Sequence, residues 1–153
     1  MSDDHLLEVY RQLRTSQHKY IYFLLAAAGA AVALALNRTQ TATFTLVLIP
    51  WGLALALWGL SFFFGCRHLA YVSSTLFANA ELLRVQRGEH PKAGTHPDMI
   101  RVASEGILSA IEYNSDKANK LAKLQFNCFV FGALAYVAWH LLEMGLRNRL
   151  THS

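Results

Sequence analysis

Three apolar runs divide the chain. Phe44 to Phe64 is 21 residues without a charge, long enough to span a bilayer core of ~30 Å at ~1.5 Å per residue. Tyr20 to Leu36 and Phe126 to Leu142 have the same character. Polar stretches of helical periodicity lie around them. The pattern predicts an all-α, polytopic membrane protein. It has three transmembrane helices and a cytoplasmic antiparallel helical hairpin continuous with spans two and three. The segments are an amphipathic N-terminal helix at 1–19, a two-span hairpin at 20–65, the cytoplasmic hairpin at 66–124, a third transmembrane helix at 125–146 and a polar tail at 147–153.

Ser2 or Asp3 can cap the first helix, and Asp4 and Glu8 suit its positive dipole end. Leu6, Tyr10, Leu13, Gln17 and Tyr20 recur at steps of three and four, on one face. That face suits the membrane surface, with Arg11, Arg14 and Lys19 near headgroups, or a partner helix. The opening lacks the charged start and short apolar run of a secretory signal, so Tyr20 to Leu36 is expected to stay as a span. Small residues spaced by four, Ala26/Ala30 and Gly29/Ala33, let helices approach closely in lipid. The short connection after Asn37 predicts an antiparallel pair of spans. In span two, Pro50 predicts a kink near Leu46 to Pro50. Gly52, Ala56 and Gly59 form a small-residue stripe. Pro50 and Gly52 are candidates for a gate or for close packing.

Beyond Arg67 and His68 the helical pattern continues through Leu69, Val72, Leu76, Ala80 and Leu83. Gly88 to Pro97, GEHPKAGTHP, reads as a turn. Pro97 fits the first position of a new helix and Asp98 its first turn. Ile100, Ile107, Asn114 and Leu121 then recur every seven residues. A hairpin this narrow holds no large core alone. Leu76, Leu83, Ile107, Asn114 and Leu121 are therefore candidate contacts between arms or between subunits, and Asn114 has the character of a register-setting polar residue.

The 153 residues are 54% hydrophobic with a formal net charge of +4. A mean hydropathy of only +0.24 shows that the apolar residues are concentrated in the runs. Distribution of charge says more than its sum. Of the 14 Lys and Arg, eleven precede Tyr20 or fall in 66–124, and three, Arg38, Arg147 and Arg149, lie on the other side. The positive-inside bias places the N terminus and the hairpin in the cytoplasm and the carboxyl terminus outside, with three crossings; Arg147 and Arg149 run against it, and a re-entrant third span would put the carboxyl terminus inside. Cys66 and Cys128 read as free thiols.

Candidate chemistry is sparse. Tyr136, His140 and Glu143 fall at i, i+4 and i+7 of span three, which also holds Asn127. Polar groups at that depth suit a pore, while a headgroup-level His with Glu143 paired to Arg147 fits the same spacing. The histidines have no partners at metal spacing. Ser61 has neither a nucleophile motif nor a His/Asp set to serve it, and there is no P-loop or Rossmann fingerprint. No catalytic activity and no cofactor are expected. Around the turn, Arg84, Arg87, His90, Lys92 and Arg101 gather, opposed by Glu89 and Asp98. Repeated around an oligomer, they would attract a nucleotide or single-stranded nucleic acid. They fit a solvated cytoplasmic surface as well.

The layout resembles the small membrane effectors of bacterial anti-phage defence that answer nucleotide or oligonucleotide signals: SLATT-type effectors, Pycsar membrane effectors and the Hailong channel component. The resemblance rests on the amphipathic start, the two-span hairpin at 20–64 and the polar helices at 66–124, and carries no diagnostic motif. It departs from a two-span effector in span three. The residues favour a homo-oligomeric, pore-forming channel in the lipid bilayer, gated through the cytoplasmic helices; the resemblance implies depolarisation or permeabilisation of a bacterial inner membrane during infection, under control of a partner enzyme's product. Two alternatives stand beside it: a non-conducting scaffold subunit that docks a soluble partner, and an accessory subunit of a membrane enzyme.

Overall fold

The fold is given by a computed structural model, which describes residues 2–38, 48–91, 94 and 96–151. Three long helices account for its regular structure: α1 (Ser2–Arg38), α2 (Ile49–Gln86) and α3 (Pro97–Thr151). Each contains a stretch long and apolar enough to cross a membrane. Lys92 and positions 44–47 of the expected second span lie outside the described residues, as do the side chains of the expected N-terminal seam, Leu6, Tyr10, Leu13 and Gln17.

α1 runs unbroken through position 20, so the amphipathic start and span one are a single helix of 37 residues. α2 begins at Ile49, which puts Pro50 in its first turn. There the missing amide costs no intrahelical hydrogen bond and the fixed φ suits the helix. Of the kink expected over 46–50, only the last residues are described, and they open the helix without interrupting it. α2 ends in a Schellman motif. Gly88 takes a left-handed conformation with φ of 70°. Its amide bonds the Val85 carbonyl at 3.0 Å, and the Glu89 amide bonds Arg84 at 3.0 Å. Only glycine adopts that φ without strain, so the stop is written at this residue. α3 opens with Pro97 at its first position, and the His96 carbonyl accepts the Ile100 amide at 3.0 Å.

The chain forms two compact units, Met1–Gly65 with Leu124–Ser153, and Cys66–Lys123. In the first, buried positions repeat at three, four or seven residues. On α1 they are Ile21, Leu24, Ala28 and Ala35; on α2, Ala54, Trp58, Ser61 and Gly65; on α3, Gln125, Gly132 and Trp139. A seven-residue repeat is the signature of helices packed at shallow angles. The core centres on Ala35, Ala54 and Trp58, with Val32, Leu55, Phe129 and Tyr136 packed against them. Trp58 fits because α3 has no side chain where it lands. A Cβ on Gly132 would come within 2.7 Å of the indole.

The small residues that make this packing differ from those the spacing had suggested. Ala26, Gly29, Ala30, Ala33, Ala56 and Gly59 are exposed on the single chain. A Cβ on Gly29, Gly52 or Gly59 would meet nothing within 4 Å. The pairwise i, i+4 rule identifies small residues but not which face is covered. The register of large buried neighbours decides that.

In the second unit, half-buried and buried positions on α2 include His68, Val72, Thr75, Asn79, Leu82 and Val85; on α3 they include Ser104, Ile107, Ile111, Asn114, Ala118 and Leu121. His68 Nδ1 lies 2.8 Å from the Ala118 carbonyl, so the two arms are joined side chain to backbone. Thr75 donates to Tyr71 O and Asn79 to Thr75 O, at 3.0 and 2.9 Å. Thr75 and Asn79 therefore find acceptors on their own helix, His68 on the other arm, while the buried Ser104 hydroxyl has no partner among the described residues.

Gly132→Ala is expected to drive a methyl into Trp58 and cost about 1–3 kcal/mol, seen as a lower thermal midpoint in detergent. Gly59→Ala should leave that midpoint unchanged or raise it, since alanine favours the helix by about 1 kcal/mol. Equal effects at the two glycines would contradict the Trp58–Gly132 packing.

Candidate functional site

Two groups of residues carry the candidate chemistry, one in each unit. In the membrane unit, Tyr136 belongs to the core. Its ring sits 5.5 Å from Trp58 and 5.3 Å from Trp139. Glu143 is half-buried, whereas His140 is exposed with its ring 6.3 Å from Trp139. Tyr136, His140 and Glu143 thus share a helix face but differ in exposure on the single chain. Tyr136 packs inward and His140 does not. Pro50 and Gly52 are half-buried at the start of α2. Asn127, the polar residue that stands out in span three, is exposed.

Near the edge of this unit lies a buried polar side chain, Gln125, which the periodicity did not single out. Its side chain is fully buried. Its main-chain carbonyl accepts the Ser61 hydroxyl at 2.8 Å. One turn on, the Phe129 carbonyl accepts the Trp58 indole N–H at 3.2 Å. Successive turns of α3 thus present backbone oxygens to α2. In lipid such bonds are favoured because the donors have no water to turn to. Ser61 is spent in this contact, so its hydroxyl serves packing. The Gln125 amide lies against Gly65, where a Cβ would come within 2.6 Å of Nε2 and 2.7 Å of Leu25 Cδ2. All three helices meet at this point. Extending the α3 repeat from Ile111 and Ala118 by seven lands on Gln125, then on Gly132; that register is the signal in the sequence.

In the second unit the basic residues of the turn are more engaged than their sequence neighbours imply. Arg84 Nη1 pairs with Glu81 Oε1 at 3.0 Å. The other oxygen of Glu81 lies 3.8 Å from His90 Nε2. Arg101 pairs with Glu105 at 3.3 Å. Arg87 is exposed. Opposition to the cluster therefore comes from Glu81 and Glu105 as well as Glu89 and Asp98. Across 81–105 four Lys and Arg face four Asp and Glu. These pairs are exposed, so each contributes little to stability, but together they cancel the net field an anion would feel.

The candidate contact residues separate into two sets. Ile107, Asn114 and Leu121 are half-buried within the unit, while Leu76 and Leu83 are 44% and 54% exposed. Phe77 beside them is 73% exposed. Arg67 stacks on Tyr71 with its guanidinium carbon 5.5 Å from the ring centroid, and Lys117 lies 5.4 Å from the Tyr113 ring. Cys66 and Cys128 are free thiols. Among the described residues, no three His, Cys, Asp or Glu side chains group to hold a metal ion. No protein-family model matches the chain, and no curated protein or solved structure matches it.

Proposed function

We propose that the protein is a homo-oligomeric membrane channel, a pore-forming effector of a bacterial inner membrane, gated through its cytoplasmic helices. The observation that carries this reading is the continuity of α2 and α3. Each is one unbroken helix on both sides of the boundary at 65–66 or 123–124. A helix hydrogen-bonded along its length transmits rotation or translation, so a signal received by 66–123 can reach the spans. The uncovered small-residue faces at Ala26, Gly29, Ala30 and Ala33 and at Ala56 and Gly59 support assembly with further copies. The resemblance in layout to anti-phage effectors supports a role in defence, with a nucleotide or single-stranded oligonucleotide as the signal. No catalytic step and no cofactor are part of this reading.

A second reading, a non-conducting scaffold that docks a soluble partner, draws on the exposed apolar side chains Leu76, Phe77 and Leu83 and on the balanced charge around the turn. Ion flux separates the two. Purified protein in dye-loaded liposomes is expected to release an ion gradient, faster when a cyclic nucleotide or short oligonucleotide is added. Tight liposomes with the oligomer inserted would favour the scaffold.

Two substitutions probe the sensor. Arg84→Glu with Arg87→Glu is expected to abolish the response to the added nucleotide while the oligomer persists in size-exclusion chromatography. Glu81→Gln removes the carboxylate that occupies Arg84, and should tighten nucleotide binding about 2–5-fold by calorimetry at low salt. Affinity indifferent to both changes would remove the turn from the binding site. In the spans, Glu143→Gln and His140→Leu should each change ion flux by about twofold or more if these residues line the conduction path; unchanged flux would take them out of it.

A further inference from the structure

Gln125 is fully buried, yet neither its Oε1 nor its Nε2 has a hydrogen-bond partner among the described residues. An amide in this state is costly, because burial takes away its hydrogen bonds to water and nothing replaces them. Packing does not account for it. The slot it fills, opened by the missing side chain of Gly65 and closed by Leu25, takes the shape of a Gln side chain but offers it no donor or acceptor. Methionine, of similar length and volume, would fill the same slot without the penalty. The Ser61 hydroxyl, on the facing turn of α2, already donates to the Gln125 backbone carbonyl.

We propose that Gln125 is a conformational latch set against the packed state. The close packing of α1, α2 and α3 at Leu25, Gly65 and Gln125 is one of two arrangements. In the other, α2 and α3 part at Gly65, and the amide gains water or the free lone pairs of Ser61. The unpaired amide lowers the free-energy gap between the two, which keeps the open arrangement within reach of a signal. Deleting a penalty of this kind shifts a conformational equilibrium by about 5- to 150-fold. This inference concerns the helices alone and stands whether or not the protein conducts ions.

Native cysteines supply the test. Cys128 is half-buried one turn beyond Gln125, and Cys66 is exposed beside Gly65. In a Cys66→Ser background of the full chain, Cys128 is the only thiol. Its reaction rate with a water-soluble maleimide, in lipid nanodiscs, reports how often α3 becomes accessible one turn from Gln125. Gln125→Met is expected to slow that reaction about tenfold and to raise the thermal midpoint. Labelling at the parent rate or faster, a lower midpoint, or a variant that does not fold would each show that the amide holds the packed state together, and would overturn the latch.

Discussion

Everything in the membrane unit depends on how closely α2 approaches α3. Lipid offers no hydrophobic drive for two apolar helices to associate, so packing and interhelical hydrogen bonds must supply it. Here both come from the same few residues. Trp58 lies where Gly132 has no side chain, and its indole bonds the Phe129 carbonyl; Ser61 bonds the Gln125 carbonyl one turn earlier. Gly65 lets α2 sit against Gln125 and Leu25 of the other two helices. A larger residue at 65 or 132 would separate the helices and strand the donors. The seven-residue repeat carries this contact along α2 and α3, and α1 completes the core through Ala28 and Ala35.

The second unit follows the same repeat with different chemistry. Its seam is polar at His68, Thr75, Asn79 and Asn114, and the groups on α2 are satisfied by backbone oxygens of α2 itself or, for His68, of α3. Such a seam gains less from burial than an apolar one. The larger apolar side chains Leu76, Phe77 and Leu83 stand outside it. The one buried side-chain amide without a partner among the described residues, Gln125, lies in the other unit, so each unit keeps polar groups within its packed seam.

Much of this was legible in the sequence. Charge-free length marked the three spans, because a bilayer sets a minimum run of apolar residues whatever the packing. Gly88 and Pro97 marked the ends of α2 and α3, because left-handed φ and the first helical position are local requirements. Faces were harder to read. Leu76 and Leu83 continue the leucine repeat of α2 from Leu69, yet they are exposed while Thr75, Asn79 and Leu82 beside them are half-buried. Hydrophobicity cannot rank faces when an uncovered one is free to meet lipid or another chain. Gln125 escaped notice because a single polar residue at the edge of a span looks like a boundary marker. The turn alone offers Glu89 and Asp98 as opposition to Arg84 and Arg101, whereas the carboxylates they pair with, Glu81 and Glu105, sit three and four residues away on the helices, outside the turn.

The central claim is that these helices assemble into a gated pore. Single-channel recording from purified protein in a planar bilayer tests it most directly, with cyclic nucleotides and short oligonucleotides added to one side at a time. The account expects discrete unitary current steps whose frequency changes when the signal is on the side of residues 66–123. A silent bilayer, with inserted oligomers verified in the same preparation, would contradict it.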